Sequence, residues 1–482
     1  MSDWNTLKKK EQEQLLVEYE KDPSLFNRQT NVEDEALLRK FGIIIPKKNS
    51  LPRGFIKFSS SDFIVEEVNN NGEVIEAIFA NNENPGAVAP PYTVYATLVK
   101  CGVSTLDVIE DIVRRLKIER KQIQYAGIKD RDAITAQKIS FRGLSYEKIR
   151  SISSPNYRLQ NISLGKGVIE KSAIRGNKFT ILVRVEKEFF IREKAEHFVK
   201  QLEEVTRDGF NNYFYLQRFG SPRFLNYKWA YMILQGKYKE AVEHVFFAEG
   251  SFESGFFLSV RKKAAAKKGN WKEVLDFFEP YPIILQNEIA ILRHLIDHPN
   301  QYAEALGKIP DQITLWVYAF GSWLWNRSLA GFVSSENKVP THIPLFLSQY
   351  KEDVDFYKED LTTLKIFPPN FSNLRPFPSI RLEHREVPTK ESVKMHAIEI
   401  VPEGVILSFT LGKGDYATTF LSHLFNLVSG QPPKSIQTTS INIKEKLSIS
   451  GFAPVLEYFK PVISDKSLNM FQGMKKEKAN LG

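Results

Sequence analysis

The sequence predicts a mixed α/β fold with more than one domain, and three observations support this prediction. Between residues 55 and 205, apolar residues recur at the two-residue spacing of strands and, in other segments, at the spacing of amphipathic helices. From about residue 221 to residue 388, helical spacing dominates. The chain of 482 residues is also longer than one ordinary hydrophobic core accommodates, so we expect at least two domains.

The composition favours a globular protein with a polyanionic partner. The formal net charge is +9, which suits a nucleic acid, although a basic chain also arises from solubility alone. Phe, Trp and Tyr make up 12% of the residues, and such rings stack on bases, but most of them are expected in the core. The single cysteine, Cys101, excludes an intramolecular disulfide.

No stretch of the sequence predicts a signal peptide or a membrane span. The N-terminal residues lack the apolar core of a signal peptide. The most apolar run, residues 313–325, is shorter than the roughly 20 residues that cross a bilayer. We therefore expect a cytoplasmic protein with no membrane partner.

The first third of the chain alternates strand and helix patterns. Residues 1–50 are charged and only weakly helical in pattern, which indicates an extension without chemistry of its own. Residues 55–68 predict two short strands around a serine-rich turn, and residues 92–100 predict another strand after the asparagine- and proline-rich loop 69–91. Ser104 then begins a helix, because an acidic residue three positions later completes a capping box.

A charged turn follows that helix. Residues 125–137 read YAGIKDRDAITAQ, in which Gly127 permits a tight turn or the close approach of a ligand. Asp130 lies between Lys129 and Arg131, which favour the ionised carboxylate if they are also close in space. An ionised carboxylate can act as a nucleophile. The alternative is an ordinary solvated surface turn.

Residues 174–185 predict a long strand. Phe179 and Ile181 belong to an apolar alternation with residues such as Arg184, which indicates partial burial. A helix is predicted over about residues 190–205.

Two later stretches combine aromatic and polar side chains. Residues 209–220 read GFNNYFYLQRFG, where Asn212 carries a donor and an acceptor and Phe214 can stack, although an aromatic core strand has the same pattern. Residues 411–418, after a predicted hairpin, form a strand-to-helix junction that contains Tyr416. The alternative for Tyr416 is a buried residue at the start of a helix.

The helical block contains two patterns that are typical of binding sites. Residues 261–268 read RKKAAAKK and can contact phosphates, although a solvated helix end has the same composition. His294 and His298 have the spacing of a zinc helix, but the required glutamate is missing, so we expect no metal. Residues 368–388 predict a linker that is rich in proline and arginine.

Five motifs resemble, in the same order, those of the TruD family of tRNA pseudouridine synthases. Residues 127–137 are similar to the signature G-x-K-D-[RK]-x-A-[VI]-T-x-Q, and residues 57–65 are similar to K-x-x-x-x-D-F-x-V. Residues 209–220 are similar to G-x-P-N-Y-F-G-x-Q-R-F-G, and residues 411–418 are similar to L-x-x-G-x-[YF]-A-T. Residues 175–179, RGNKF, also resemble a family element.

The resemblance implies an α/β (α+β) pseudouridine synthase fold that is circularly permuted, with a mixed sheet, flanking helices and an inserted, mostly helical TRUD domain. The expected division is an N-terminal extension over 1–50, a catalytic domain over 51–220 and 391–430, the inserted domain over 221–390, and a C-terminal extension over 431–482. Two positions depart from the family pattern, since Asn211 replaces a proline and Tyr215 replaces a glycine. A tyrosine cannot adopt every backbone angle that a glycine can.

The resemblance also implies roles for individual residues. Asp130 matches the catalytic aspartate of the family, and Phe63 and Tyr416 match positions that contact the target base. The other expected substrate-binding residues are Asn212 at the uracil edge, Phe214 as a stacking ring, and Lys57 beside the carboxylate or a phosphate. Isomerising uridine requires the glycosidic bond to break and the bound uracil to turn, so the base must first leave its stack.

We therefore predict a tRNA pseudouridine synthase that acts on uridine 13 of tRNA, with Asp130 as its nucleophile. The expected partner is tRNA, and no cofactor or metal is expected. The alternative is a catalytically silent RNA-binding or RNA-chaperone protein on the same scaffold. A third interpretation makes residues 221–388 a helical protein-interaction module.

Overall fold

The computed structural model of the protein describes residues 4–27, 29–46, 48–79, 91–335, 338–347 and 349–463. The lysine-rich end of the predicted C-terminal extension and residues 80–90 of the predicted polar loop lie outside these ranges. In the described part of the chain, no helix is both long enough and apolar enough to cross a membrane.

The described residues form sixteen strands. They are β1 Thr30–Val32, β2 Arg53–Phe55, β3 Phe63–Asn69, β4 Val74–Ile75, β5 Thr93–Cys101, β6 Ile123–Tyr125, β7 Ile134–Arg142, β8 Tyr157–Gly165, β9 Ile174–Val185, β10 Phe210–Asn211, β11 His342–Pro344, β12 Glu386–Pro388, β13 Lys390–Glu391, β14 Lys394–Val401, β15 Gly404–Gly412 and β16 Asn426–Gly430. The predicted hairpin before Tyr416 is β14–β15, and the predicted strand over 174–185 is β9 with the same bounds.

Twelve of these strands form one mixed sheet. Its main order is β1-β16-β2-β9-β3-β7-β5-β8, with β15 and β14 continuing from β9, and with β4 and β6 pairing with β3 and β7. The β16–β2 and β3–β7 pairs are parallel, whereas β9 runs antiparallel to its neighbours β2, β3 and β15. The predicted mixed α/β fold is therefore confirmed, while the circular permutation and the domain boundaries stay predictions.

Seventeen α-helices lie in the same described ranges. They are α1 Trp4–Lys21, α2 Glu35–Arg39, α3 Thr105–Leu116, α4 Tyr146–Arg150, α5 Arg192–Asp208, α6 Asn226–Leu234, α7 Tyr238–Phe247, α8 Gly255–Ala265, α9 Trp271–Phe278, α10 Gln286–Asp297, α11 Tyr302–Leu306, α12 Pro310–Ser334, α13 Lys351–Phe356, α14 Lys358–Leu364, α15 Ala417–Ser422, α16 Ile443–Lys446 and α17 Ala453–Phe459. Helix α3 begins as predicted, because the Ser104 hydroxyl oxygen accepts the Asp107 amide at 3.1 Å.

The sheet is buried on both faces around β9, and this burial exceeds the prediction for that strand. Phe179 and Ile181 face the large core that the sheet shares with the helices. Leu182 belongs to a second cluster with Ile443 of α16 and Phe459 of α17. The C-terminal segment therefore covers the face of β9 that was expected to be only partly buried.

The predicted helical block is occupied by α6 to α14. Helices α6 and α12 pack against each other, and the rings of Trp229 and Trp316 lie 4.7 Å apart between their centroids. The predicted linker contains a helical turn, Pro368–Leu374, and strand β12, which pairs with β11. Because Phe179 of β9 and Trp325 of α12 belong to the same cluster of buried residues, the helices and the sheet share one continuous core.

Candidate active site

A cleft of about 440 Å³ lies where the start of β3, the turn 126–130 and the loop 413–418 meet. Four of the predicted site residues line it, namely Lys57, Phe63, Asp130 and Tyr416. These residues belong to three motifs that are far apart in sequence, and the fold brings them to one place.

Hydrogen bonds to the main chain hold the turn that carries Asp130. Lys100 Nζ donates to the Asp130 carbonyl oxygen at 2.6 Å, and Gln137 Nε2 donates to the Gly127 carbonyl oxygen at 2.9 Å. The Asp130 side chain is 39% exposed. A Cβ atom added at Gly127 would meet nothing within 4 Å. Gly127 does not have a positive φ, so its backbone conformation does not itself require a glycine.

The cation beside Asp130 is Lys57, whose Nζ contacts the Asp130 carboxylate directly. The neighbour in sequence, Lys129, is instead buried and pairs with Glu67 Oε2 at 3.0 Å, and Arg131 is exposed. The sequence left open whether Lys129 or Arg131 lies near Asp130 in space, and the structure shows that Lys129 pairs with Glu67 instead. Burial lowers the pKa of Lys100 to about 8, against the opposing effect of Asp130.

Lys57 has an unusual backbone conformation. Its φ is +54°, in the left-handed region that residues other than glycine seldom adopt. Such conformations cost on the order of 1–3 kcal/mol and are concentrated at functional sites. The conformation directs Lys57 Nζ to Asp130 and places it 4.3 Å from the centroid of the Phe63 ring.

The two predicted base-contacting rings have different surroundings. Phe63 is 2% exposed and packs edge-on against Phe179, so it forms the floor of the cleft. Tyr416 is partly exposed, and its hydroxyl oxygen accepts a hydrogen bond from Arg218 Nη2 at 2.9 Å. Arg218, which belongs to the motif 209–220, therefore fixes the orientation of the Tyr416 hydroxyl.

Asn212 and Phe214 lie in the neighbouring loop and do not line this cleft. Asn212 Nδ2 donates to the Pro388 carbonyl oxygen at 3.0 Å. The Phe214 ring packs edge-on against Trp325, with the Arg218 guanidinium 5.2 Å from its centroid.

The departure from the family pattern at Tyr215 has a structural explanation. Its backbone is extended, with φ −81° and ψ 176°, so this position does not require a glycine. The Tyr215 side chain is buried, and its hydroxyl donates to Glu33 Oε2 at 2.6 Å. Burial raises the pKa values of both Glu33 and Tyr215. The N-terminal extension thus supplies the partner of this loop residue.

Gln217 and Asp415 are among the cleft residues that were not predicted as site residues. Both fall inside matched motifs, so motif membership was the available signal. Gln217 Oε1 accepts a hydrogen bond from Thr418 Oγ1 at 3.2 Å. Burial, and secondly the charge of Glu391, raise the pKa of Asp415 to about 7.

A second cavity of about 820 Å³ adjoins the cleft and shares Gln217 and Tyr416 with it. Its helical wall includes Arg261, the first residue of the basic run. Arg261 is buried and pairs with Glu253 Oε1 at 2.7 Å and with Glu288 Oε1 at 2.9 Å. This arginine stabilises the wall of the cavity, whereas the lysines of the run lie at the surface.

His294 lies in α10, and His298 directly follows the end of this helix. The His294 and His298 rings lie 4.8 Å apart between their centroids. Within the ranges that the structure describes, no three His, Cys, Asp or Glu side chains are grouped in a way that could hold a metal ion.

Comparison with known proteins identifies the family. The family model "tRNA pseudouridine synthase D (TruD)" matches residues 50–344. A Methanococcus aeolicus protein named "Probable tRNA pseudouridine synthase D" is 26% identical over 402 residues, which cover 77% of this chain and 96% of that protein. An Aquifex aeolicus protein named "tRNA pseudouridine synthase D" is 32% identical over 246 residues, which cover 50% of this chain and 60% of that protein.

The fold agrees with this comparison. A crystal structure of a Methanosarcina mazei protein, described as a tRNA pseudouridine synthase D, superposes with a TM-score of 0.58 at 21% identity, covering 80% of this chain and 97% of that chain. At that identity the superposition supports the fold alone. Because the family model spans more than half of the sequence, the chain belongs to the TruD family of tRNA pseudouridine synthases.

Proposed function

We propose that this protein converts uridine to pseudouridine at position 13 of tRNA, with Asp130 as the nucleophile. The observation that carries the proposal is the position of the Asp130 carboxylate. It is 39% exposed, contacts Lys57, and lines the same cleft as Phe63 and Tyr416. A cytoplasmic location fits a tRNA substrate.

The proposed reaction has two bond exchanges. The Asp130 carboxylate attacks C1′ of the ribose, and the N-glycosidic bond breaks as the electron pair leaves with the uracil. The uracil turns within the cleft, and its C5 then bonds to C1′ while the carboxylate leaves. Loss of the C5 proton to solvent and uptake of a proton at N1 restore the conjugated ring, so the product is an isomer of the substrate and no redox step is needed.

The cleft residues suit two requirements of this reaction. An extruded base needs apolar faces to replace those of its neighbours in the stack, and Phe63 and Tyr416 provide them. Lys57 places a positive charge next to the attacking carboxylate. Contact of Asn212 and Phe214 with the base remains a prediction, since their present partners are Pro388 and Trp325.

The polynucleotide is proposed to bind across the cleft and the adjoining cavity. Lys413 lines the cleft and is exposed, and Arg218 lies at the junction with the cavity of about 820 Å³. Because binding of phosphates releases counterions, we expect tRNA affinity to fall steeply with salt concentration.

The reaction and the target can be tested together. Unmodified tRNA transcripts carrying tritium at uridine C5 are incubated with the protein, and released tritium is counted. The proposal expects release from one position, uridine 13, and a transcript with cytidine at that position is the control. Tight tRNA binding without tritium release from any uridine would instead identify the silent RNA-binding alternative.

A further inference from the structure

Asp415 occupies a place in the cleft that the proposed reaction has not used. It lies in the loop between β15 and α15, immediately before Tyr416, and lines the same cleft as Asp130 and Phe63. Its Oδ2 atom is buried and has no hydrogen-bond partner within the described residues. A buried polar atom without a hydrogen-bond partner destabilises the protein. A ligand in the cleft that forms a hydrogen bond with this atom removes that penalty and binds more tightly.

The groups around Asp415 disfavour its charge. From β13, Glu391 faces it and adds a like charge. Within its own loop, the Gly412 main chain opposes this effect through a hydrogen bond that lowers the pKa, whereas Lys413 Nζ donates to the Lys171 carbonyl oxygen at 2.8 Å. Across the cleft, Lys57 contacts Asp130 and Lys129 pairs with Glu67. With burial as the larger cause, the pKa of Asp415 rises to about 7, so the neutral acid is populated near neutral pH.

We propose that Asp415, as the neutral acid, reads the imide edge of the extruded uracil and determines which base is held, an inference that rests on the proposed function. A carboxylic acid offers one O–H donor beside one carbonyl acceptor. Uracil offers a carbonyl acceptor beside its N3–H donor. The two groups therefore form a pair of hydrogen bonds, and the unpartnered Oδ2 atom becomes satisfied.

The neutral form also suits the charge that develops during the reaction. When the glycosidic bond breaks, negative charge spreads over the uracil carbonyl oxygens. A donor aimed at such an oxygen stabilises the transition state, and removal of one such donor costs about 100-fold in rate. An ionised Asp415 offers acceptors only and repels the departing base, so its deprotonation is expected to stop the reaction.

Asn212 is less able to serve as this edge reader in the present arrangement. Its amide nitrogen is engaged by the Pro388 carbonyl oxygen, and the residue lies outside the lining of the cleft. Asp415, in contrast, lies beside Tyr416, which is proposed to stack on the same base. Asp415 is therefore assigned as the specificity-determining residue.

The test is a pH profile of kcat/KM for tritium release from tRNA, measured for the wild type and two variants between about pH 5.5 and about pH 8.5. The wild type is expected to lose activity as pH rises through about 7, the pKa of Asp415. Asp415→Asn keeps a donor and an acceptor but cannot titrate, so it should remain active within about threefold and lose this decline. Asp415→Ala should lose about 100-fold at every pH.

The outcomes separate this inference from the proposed function. A wild-type protein that releases no tritium overturns the proposed function itself. An active wild type whose profile is unchanged by both substitutions overturns only the assignment of Asp415. Loss of activity in Asp415→Asn with tRNA binding kept also overturns the assignment. That result would mean that the reaction needs a carboxyl group that accepts a proton, and not only a donor beside an acceptor. Far-UV circular dichroism and filter binding of tRNA confirm that each variant is folded and binds.

Discussion

Two ion pairs attached to one short segment behave very differently. Arg184 and Asp62 are both 0% exposed, and the guanidinium donates to the two carboxylate oxygens at 2.7 and 2.9 Å. Lys57 and Asp130 are 21% and 39% exposed and face a cleft. The chemistry of charge pairing is the same, but only the second pair leaves acceptor capacity for a substrate. Exposure and hydrogen-bond satisfaction, more than charge, separate a structural pair from a reactive one.

The structural pair also positions the reactive one. Asp62 directly precedes Phe63, and the Ser59 amide donates to Asp62 Oδ2 at 3.2 Å. The Arg184–Asp62 contact therefore anchors the segment that delivers both Lys57 and Phe63 to the cleft. Within this one motif, Asp62 therefore supports the local structure, whereas Lys57 and Phe63 face the cleft.

The largest expected effect is on the cleft pair. Asp130→Asn should lower kcat for tritium release on the order of 10⁴-fold, because the nucleophile is lost. The temperature of unfolding and the Kd for tRNA should change little, since the carboxylate is partly exposed. Asp132→Asn, at an exposed position of the same turn, is the matched control and should stay active. Retention of activity by Asp130→Asn would falsify the nucleophile assignment.

The buried pair should show the opposite pattern. Arg184→Met leaves Asp62 buried without its cation, and such a loss costs about 3–5 kcal/mol of the free energy of unfolding. Urea denaturation monitored by tryptophan fluorescence measures this change. Arg192→Met removes an ion pair with Glu196 that is 90% and 63% exposed, and it should have no measurable effect. Equal stability of the two variants would contradict the comparison.

Lys57 allows stability and activity to be separated at one position. Lys57→Ala and Lys57→Gly both remove the cation beside Asp130, and each should lower kcat about 100-fold. Only glycine accepts the φ of +54° without strain. The free energy of unfolding should therefore be about 1 kcal/mol higher for the glycine variant than for the alanine variant. Thermal unfolding and tritium release are measured on the same preparations. A glycine variant less stable than the alanine variant would argue against strain at this residue.

The smallest expected effect concerns the pKa of Asp415. Glu391→Gln removes the like charge that raises the pKa of Asp415. The acid then deprotonates more readily, so the alkaline loss of activity should move to lower pH, by less than about 1 unit. Glu399→Gln, on the exposed side of β14, serves as the control. A shift to higher pH would show that another group sets the decline.

Local patterns predicted the elements well, because they depend on neighbours in sequence. The spacing of residues 174–185 gave the bounds of β9, and Ser104 marked the start of α3. The structure brings Lys57, Phe63 and Asp130, which the motif resemblance singled out, into one cleft, while their roles stay predictions. Adjacency in sequence left open which cation lies beside Asp130, and the structure places Lys57 there while Lys129 pairs with Glu67.

The remaining features depend on contacts between distant segments. The burial of Asp415 and its proximity to Glu391 arise from tertiary packing, and the matching motif leaves that position open. Likewise, neither the hydrogen bond between Tyr215 and Glu33 nor the covering of β9 by α16 and α17 follows from any local pattern. Site chemistry in this protein is therefore less predictable than its secondary structure.

The hydrogen bonds of Arg184 have a consequence for biosynthesis. Its guanidinium donates to the carbonyl oxygens of Gln437 and Thr439, which follow 253 and 255 positions later in the chain. A ribosome makes the chain from its N-terminus, and folding proceeds as residues emerge. Strand β9 therefore gains these contacts only after residues 437–439 have left the ribosome, and because Tyr416 lines the cleft, a nascent chain that ends before it lacks one wall of the cleft.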